Sequence, residues 1–280
     1  MQAQGLLTER VYAQIMKIDP HRMDRFLPPW ARRANPIIRA QLGVFWRAMT
    51  PDLSVPGRWY LYQMLITLIS LALPGMFNLL LPVVVVPVIL LPFVLYFYCD
   101  TLFRIGAETA TVLADDVRQD RITLLRATPI PLMQALAAKG AAAIWRQVET
   151  LELLLLAIVL LSFPMVILQH ATFNLLDAQP AQTRLLVIVG VTASIARFFL
   201  EPVMIAALGI AMGAVNKLRI PAILSTGALA FAYAVLINMP RLLELDVWGR
   251  VLVETVVPLA LPIVITWISL KFAVHHLTRD

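Results

Sequence analysis

Residues 59–99 read WYLYQMLITLISLALPGMFNLLLPVVVVPVILLPFVLYFYC, bounded by Arg58 and Asp100 with no charge between them. That is roughly 40 residues, about twice the ~20 that a helix needs to cross a ~30 Å hydrocarbon layer. Pro74-Gly75 and Asn78 fall near the middle and read as a turn. The stretch therefore predicts a hairpin of two membrane spans. Pro82, Pro87 and Pro92 recur along its second half, so that span either starts late, near Val83, or bends.

Outward from the hairpin, further apolar runs cover 153–168, 185–215, 220–239 and 251–272. Six spans are expected, all helical, because a single segment in lipid must satisfy its own backbone hydrogen bonds. Composition agrees. At 60% hydrophobic and 14% charged residues, a soluble chain of this length would lack the polar surface to cover itself. The organisation expected is an N-terminal cytoplasmic arm (1–34), an amphipathic elbow helix with its turn (35–57) and a six-span domain (58–280). A cytoplasmic loop lies at about 104–146 within that domain.

Charge sets the orientation. Lys and Arg crowd the arm, the loop between Arg104 and Arg146, the short Lys217/Arg219 connection and the tail. By the positive-inside rule, both termini and the 104–146 loop face the cytoplasm of a multi-pass protein of the cell membrane. The net charge of +6 follows this topology and is not a nucleic-acid signal. The first apolar run begins too late for a cleaved signal peptide and is expected to act as its own insertion signal. Cys99 is the single cysteine, which excludes an intrachain disulfide and a cysteine-based metal site.

Asn35-Pro36 reads as a helix start, with Asn at the N-cap and Pro at the first turn. Ile38, Leu42, Phe45 and Met49 follow on one face, which suits an interfacial helix with Trp46 at headgroup depth. Packing of this helix on the protein itself is the alternative. After the second span, a helix is expected to extend from Arg104 to Asp120. Pro131 then starts another that runs unbroken into the third span through Leu168.

Catalytic motifs are missing. There is no phosphate-binding G-x-x-x-x-G-K-[ST], no H-E-x-x-H, no EF-hand loop and no G-x-S-x-G. His275 and His276 are adjacent, hence on different helix faces, and read as an interfacial anchor rather than a metal site. Arg197 and Glu201 share a helix face within the fourth span, and charges at that depth default to a functional hypothesis. Either they neutralise each other and pack the bundle, or they touch a substrate or gate. Glu149 and Glu152 are candidate partners of Arg146 and Arg104 near the membrane surface. Small residues in the fourth span (Ala206, Ala207, Gly209, Ala211, Gly213, Ala214) allow close helix approach. That approach suits packing within the bundle or a subunit interface equally.

The stretch DVRQDRITLLRATPI (116–130), with Lys139-Gly140 further on, resembles the cytoplasmic loop of type-2 ATP-binding-cassette (ABC) exporter permeases. In that family an acidic residue precedes Gly-Thr, then Leu-Leu-x-x-Thr-Pro, then a Gly-Lys pair leading into the third span. Asp116, Leu124, Leu125, Thr128, Pro129 and Lys139 match; Asp120-Arg121 replaces Gly-Thr, and the Gly-Lys order is inverted. Asn35-Pro36 is similar to the family's elbow start. Gly209-Ile-Ala-Met-Gly213 before a basic loop is similar to its junction of spans four and five.

The resemblance implies a permease subunit, not catalytic alone, that pairs with a second permease copy, identical or similar. A separate nucleotide-binding ATPase subunit would carry ATP and Mg, leaving no cofactor on this chain. The coupling surface would comprise Asp116, Arg118, Arg121, Leu124, Leu125, Arg126, Thr128 and Pro129. Hydrophobic substrates, lipid or drug-like, suit a cavity with few polar groups; polysaccharide and ion export stay open. Two other readings compete: an intramembrane lipid-modifying enzyme using Arg197 and Glu201, and a membrane scaffold that does not transport.

Overall fold

The computed structural model describes residues 26–43, 53–80, 82–171, 180–242, 245 and 247–279. Among these residues the regular structure is all helical, without a strand. In order, the α-helices are α1 (Pro36–Leu42), α2 (Ser54–Ile69), α3 (Pro82–Arg118), α4 (Arg121–Arg126) and α5 (Leu132–Arg146). They continue with α6 (Val148–Ala171), α7 (Pro180–Val215), α8 (Arg219–Asn238), α9 (Val247–Val251) and α10 (Val257–Arg279). A 3₁₀ segment, Pro74–Leu80, follows α2, and a π segment, Leu252–Val256, joins α9 to α10.

Five helical stretches are long and apolar enough to cross a membrane: Ile89–Arg118, Val148–Ile167, Ala181–Val215, Arg219–Asn238 and Leu252–Arg279. The molecule has the architecture of a multi-pass membrane protein. The expected first span is represented by α2, whose 16 residues reach only about 24 Å at 1.5 Å per residue. The 3₁₀ segment after it carries the Pro74-Gly75 turn. Leu61, Leu65 and Leu68 of α2 are exposed, whereas Gln63 and Thr67 are buried against the bundle, an inside-out pattern that suits a lipid surround.

Pro82 opens α3, where its missing N–H costs nothing, and the helix then runs 37 residues without interruption. At roughly 55 Å it exceeds the hydrocarbon thickness, so its polar Arg104–Arg118 end projects beyond the apolar layer. The next expectation fails: α5 and α6 are separate helices, interrupted at Gln147 (φ −100°, ψ 9°). The Ala138, Ala141 and Ala142 face of α5 packs on α1, while Leu151, Leu154 and Leu155 of α6 belong to a different cluster with Ile105 and Phe198.

At the centre stands α7. Its apolar window is 72% buried, against 17% for that of α3, and it packs on α3, α6, α8, α10 and α5. Gly209 and Gly213 make this possible. A Cβ on Gly209 would collide with Thr109 Oγ1 and come within 2.6 Å of the Gly106 carbonyl; one on Gly213 would lie 2.6 Å from the Ala110 carbonyl. The small-residue stripe therefore serves contact within the chain, between α7 and α3. Gly209→Ala is expected to drive the two helices apart and cost about 1–3 kcal/mol. Gly57→Ala, whose Cβ would meet nothing within 4 Å, is the control; unfolding both in one detergent would test the contrast.

Asn35 caps α1, its side-chain oxygen accepting from the Ile37 N–H at 2.9 Å, and Gly43 ends it with φ 57°. That left-handed backbone favours glycine, so the helix stops well before Met49. Phe45, Trp46 and Met49 lie outside the described residues. The apolar Ile38–Leu42 face is not open to lipid: both residues are buried in a cluster with Ala138, Ala141 and Ala142 of α5.

Candidate functional site

Two sites emerge: a polar corner at the projecting end of α3, and a polar cluster within the spans. The corner begins where α3 ends. Asp120 takes a left-handed conformation (φ 55°, ψ 24°), the only positive φ outside glycine among the described residues. Aspartate tolerates it better than most residues. Thr123 Oγ1 donates to Asp120 Oδ1 at 2.8 Å, and α4 starts. After Arg126 the chain turns. The Thr128 hydroxyl donates to the Leu125 carbonyl at 2.7 Å, and Pro129 and Pro131 remove donors that the turn could not satisfy.

The corner is locked from behind. Asp116 on α3 and Lys139 on α5 form a buried ion pair, with side chains 8% and 9% exposed. Burial pulls the Lys139 ammonium down to about 8. Arg121 adds a looser contact to Asp116 at 3.9 Å. Asp115 receives both Nε and Nη2 of Arg219 at 2.7 Å, tying the start of α8 to the same turn of α3. Behind α4, Ile122 is buried with Leu113, Leu136, Ile210 and Leu277.

Of the residues expected to couple, Asp116 is thus a buried brace and Leu125 is half-buried. Arg118, Arg121, Arg126, Thr128 and Pro129 are exposed, and Leu124 is 71% exposed. The result is a fixed projection carrying three cations around an uncovered leucine. The neighbouring Arg146 pairs with Glu108 and donates to the Gln41 carbonyl at 2.5 Å. Arg104 pairs with Asp100 at 2.7 Å. Glu149 and Glu152 are therefore not the partners of these arginines. Arg146 at the end of α5 faces α3, and Asp100 is one helical turn from Arg104.

Within the spans, Glu201 is 2% exposed. Its carboxylate accepts from Arg197 Nε at 2.5 Å, from the Tyr233 hydroxyl at 2.7 Å and from the Tyr98 hydroxyl. One carboxylate thereby joins α3, α7 and α8. The sequence reading found the Arg197–Glu201 pair and missed both tyrosines. Their signal was available: a tyrosine inside a long apolar span needs a partner for its hydroxyl. Beside Arg197 lies a cavity of about 250 Å³ lined by Leu95, Tyr98, Ser162, Met165 and Ser194. Arg197 and Glu201 themselves line this cavity, and three donors hold the Glu201 carboxylate at its wall. No protein-family profile, curated protein or solved structure matches this chain.

Proposed function

We propose that the chain is the membrane-spanning permease subunit of an ATP-driven ABC transporter, an exporter, working with a separate ATPase subunit and a second permease copy. The observation that carries this reading is the corner. Asp116 and Lys139, two positions at which the sequence resembles the family's loop, meet in a buried ion pair. The segment between them is held as a rigid, exposed projection. A part that passes force from an ATPase must be stiff behind and uncovered in front, and this one is both.

A further support lies at Asp120. Its backbone adopts the left-handed conformation that a glycine would adopt freely, at the place where the family's loop has glycine. In this reading α2 and the following 3₁₀ segment complete a sixth crossing, α1 is the elbow and 104–146 faces the cytoplasm, as the basic residues suggest. ATP and Mg belong to the partner. The enzyme reading is weakened by Glu201, whose oxygens are already engaged by Tyr98, Tyr233 and Arg197. The scaffold reading differs in one respect: its bound ATPase would not respond to the loop.

The test is purification of the full chain from its host in mild detergent, with mass spectrometry of its companions. A soluble protein bearing a phosphate loop, near one copy per chain, is expected. Thr128→Gly with Pro129→Gly should keep that partner but abolish the permease-dependent change in its ATP hydrolysis. A chain recovered without any such ATPase, under conditions that preserve other transporters, would move the weight to the membrane enzyme. An ATPase indifferent to the loop variant would favour the scaffold.

A further inference from the structure

Along α10, Val264, Trp267, Lys271, His275 and Thr278 follow at steps of three or four and so form one stripe. The opposite stripe, Leu270, Ala273 and Leu277, packs into the cluster with Leu136 and Ile210. The first stripe therefore faces away from the bundle. It changes character along its length: Trp267 is 53% exposed, and Ile268 and Phe272 beside it are 54% and 46% exposed. Lys271, His275 and Thr278 then follow towards the helix end. Lys271 Nζ sits 3.8 Å over the Trp267 ring. Between this stripe and Met133, in the first turn of α5, runs an open groove of about 650 Å³ with no acidic side chain in its wall.

We propose that this groove seats an anionic phospholipid, its phosphate at Lys271 and His275 and an acyl chain along Trp267, Ile268 and Phe272. The order of chemistry along α10 is that of the lipid, apolar chain and then charged head. Ile265 of α10 clusters with Leu102 of α3, which puts Lys271 just past the level of Arg104, where α3 leaves the apolar layer and a lysine reaches headgroups. Trp267 supplies the aromatic that prefers this interface. A soluble phosphate would leave the apolar half of the groove uncovered. A choline head would place its own cation against Lys271.

The seat also has a consequence for the corner. Met133 stands on α5, four residues after Pro129, so a lipid in the groove braces α5 against α10. This inference needs only membrane insertion and stands whether or not the chain works with an ATPase.

The full chain in detergent, exposed to equal amounts of phosphatidylglycerol and phosphatidylcholine with the same acyl chains, is examined by native mass spectrometry. Preferential retention of phosphatidylglycerol is expected. Lys271→Gln should lower that preference roughly fivefold, the typical weight of one cationic side chain at an anionic surface. Lys271→Arg should keep it and shows that the position tolerates change. Lys217→Gln, in the α7–α8 connection, should leave it intact. Equal retention of the two lipids, a preference untouched by Lys271→Gln with His275→Gln, or an equal loss in Lys217→Gln would overturn the proposal. So would displacement of phosphatidylglycerol by inorganic phosphate alone, which would make the site one for a soluble anion.

Discussion

Glu201→Ala is expected to destabilise the folded chain by about 3–5 kcal/mol, the range for removing one member of a buried ion pair. The size comes from what is left behind. Arg197 loses its counter-ion, and the Tyr98 and Tyr233 hydroxyls lose the acceptor to which both donate. The tyrosines alone matter less. Hydrogen bonds between helices in membranes average about 0.6 kcal/mol and reach about 1.7, so Tyr98→Phe and Tyr233→Phe should each fall in that band. Unfolding of the four proteins in one detergent gives the comparison. A loss in Glu201→Ala no larger than in the tyrosine variants would mean that the carboxylate carries no charge pair of consequence. Full stability combined with loss of the proposed transport activity would assign Arg197 and Glu201 to the substrate path instead.

How much of this could be read from sequence depends on which link is asked for. Length and apolarity are local, so the runs at 153–168, 185–215, 220–239 and 251–272 are legible as spans, and the Asn35-Pro36 start is legible as a cap. Partners across the fold were not. Tyr98 and Glu201 are 103 residues apart, and nothing in the α3 pattern points to α7. Arg146 finds Glu108 rather than Glu149, because the choice depends on which side of α5 meets α3. The same limit hid the interruption at Gln147, since helix formers run through it. Gly209 and Gly213 announced a close approach, but α7 is apolar on all sides, so its periodicity could not say that the neighbour was α3. At the corner, Asp116 and Lys139 each match the resemblance one by one, but nothing local to either position says that they meet across α3 and α5.

That contact yields the other large effect. Lys139→Met leaves the Asp116 carboxylate buried without its cation, and Asp116→Asn leaves the ammonium without its anion; each is expected to cost about 3–5 kcal/mol. An upper bound comes from neutralising the stranded group at pH 7. For an aspartate of ordinary pKa ~3.9 that cost is about 4 kcal/mol, and for a lysine of ~10.4 it is close to 5 kcal/mol, at 1.36 kcal/mol per unit. The two single variants must therefore respond to pH in opposite directions. In Lys139→Met the folded state favours a protonated carboxyl, so its deficit should shrink as pH falls from 7 towards 4. In Asp116→Asn the folded state favours a neutral amine, so its deficit should shrink as pH rises from 7 to about 8, above which the wild-type lysine is neutral too and both proteins gain in parallel. The wild-type lysine already leans that way, its ammonium pulled down to about 8 by burial. The double variant, Asp116→Asn with Lys139→Met, strands no charge and should lie well above the sum of the single losses. Equal pH slopes in the two single variants would show that water reaches the pair and that the corner is not locked from within. Under the proposed function, a double variant that is stable but no longer alters ATP hydrolysis by the proposed partner would separate two duties: holding the fold together, and keeping the Thr128–Pro129 turn rigid.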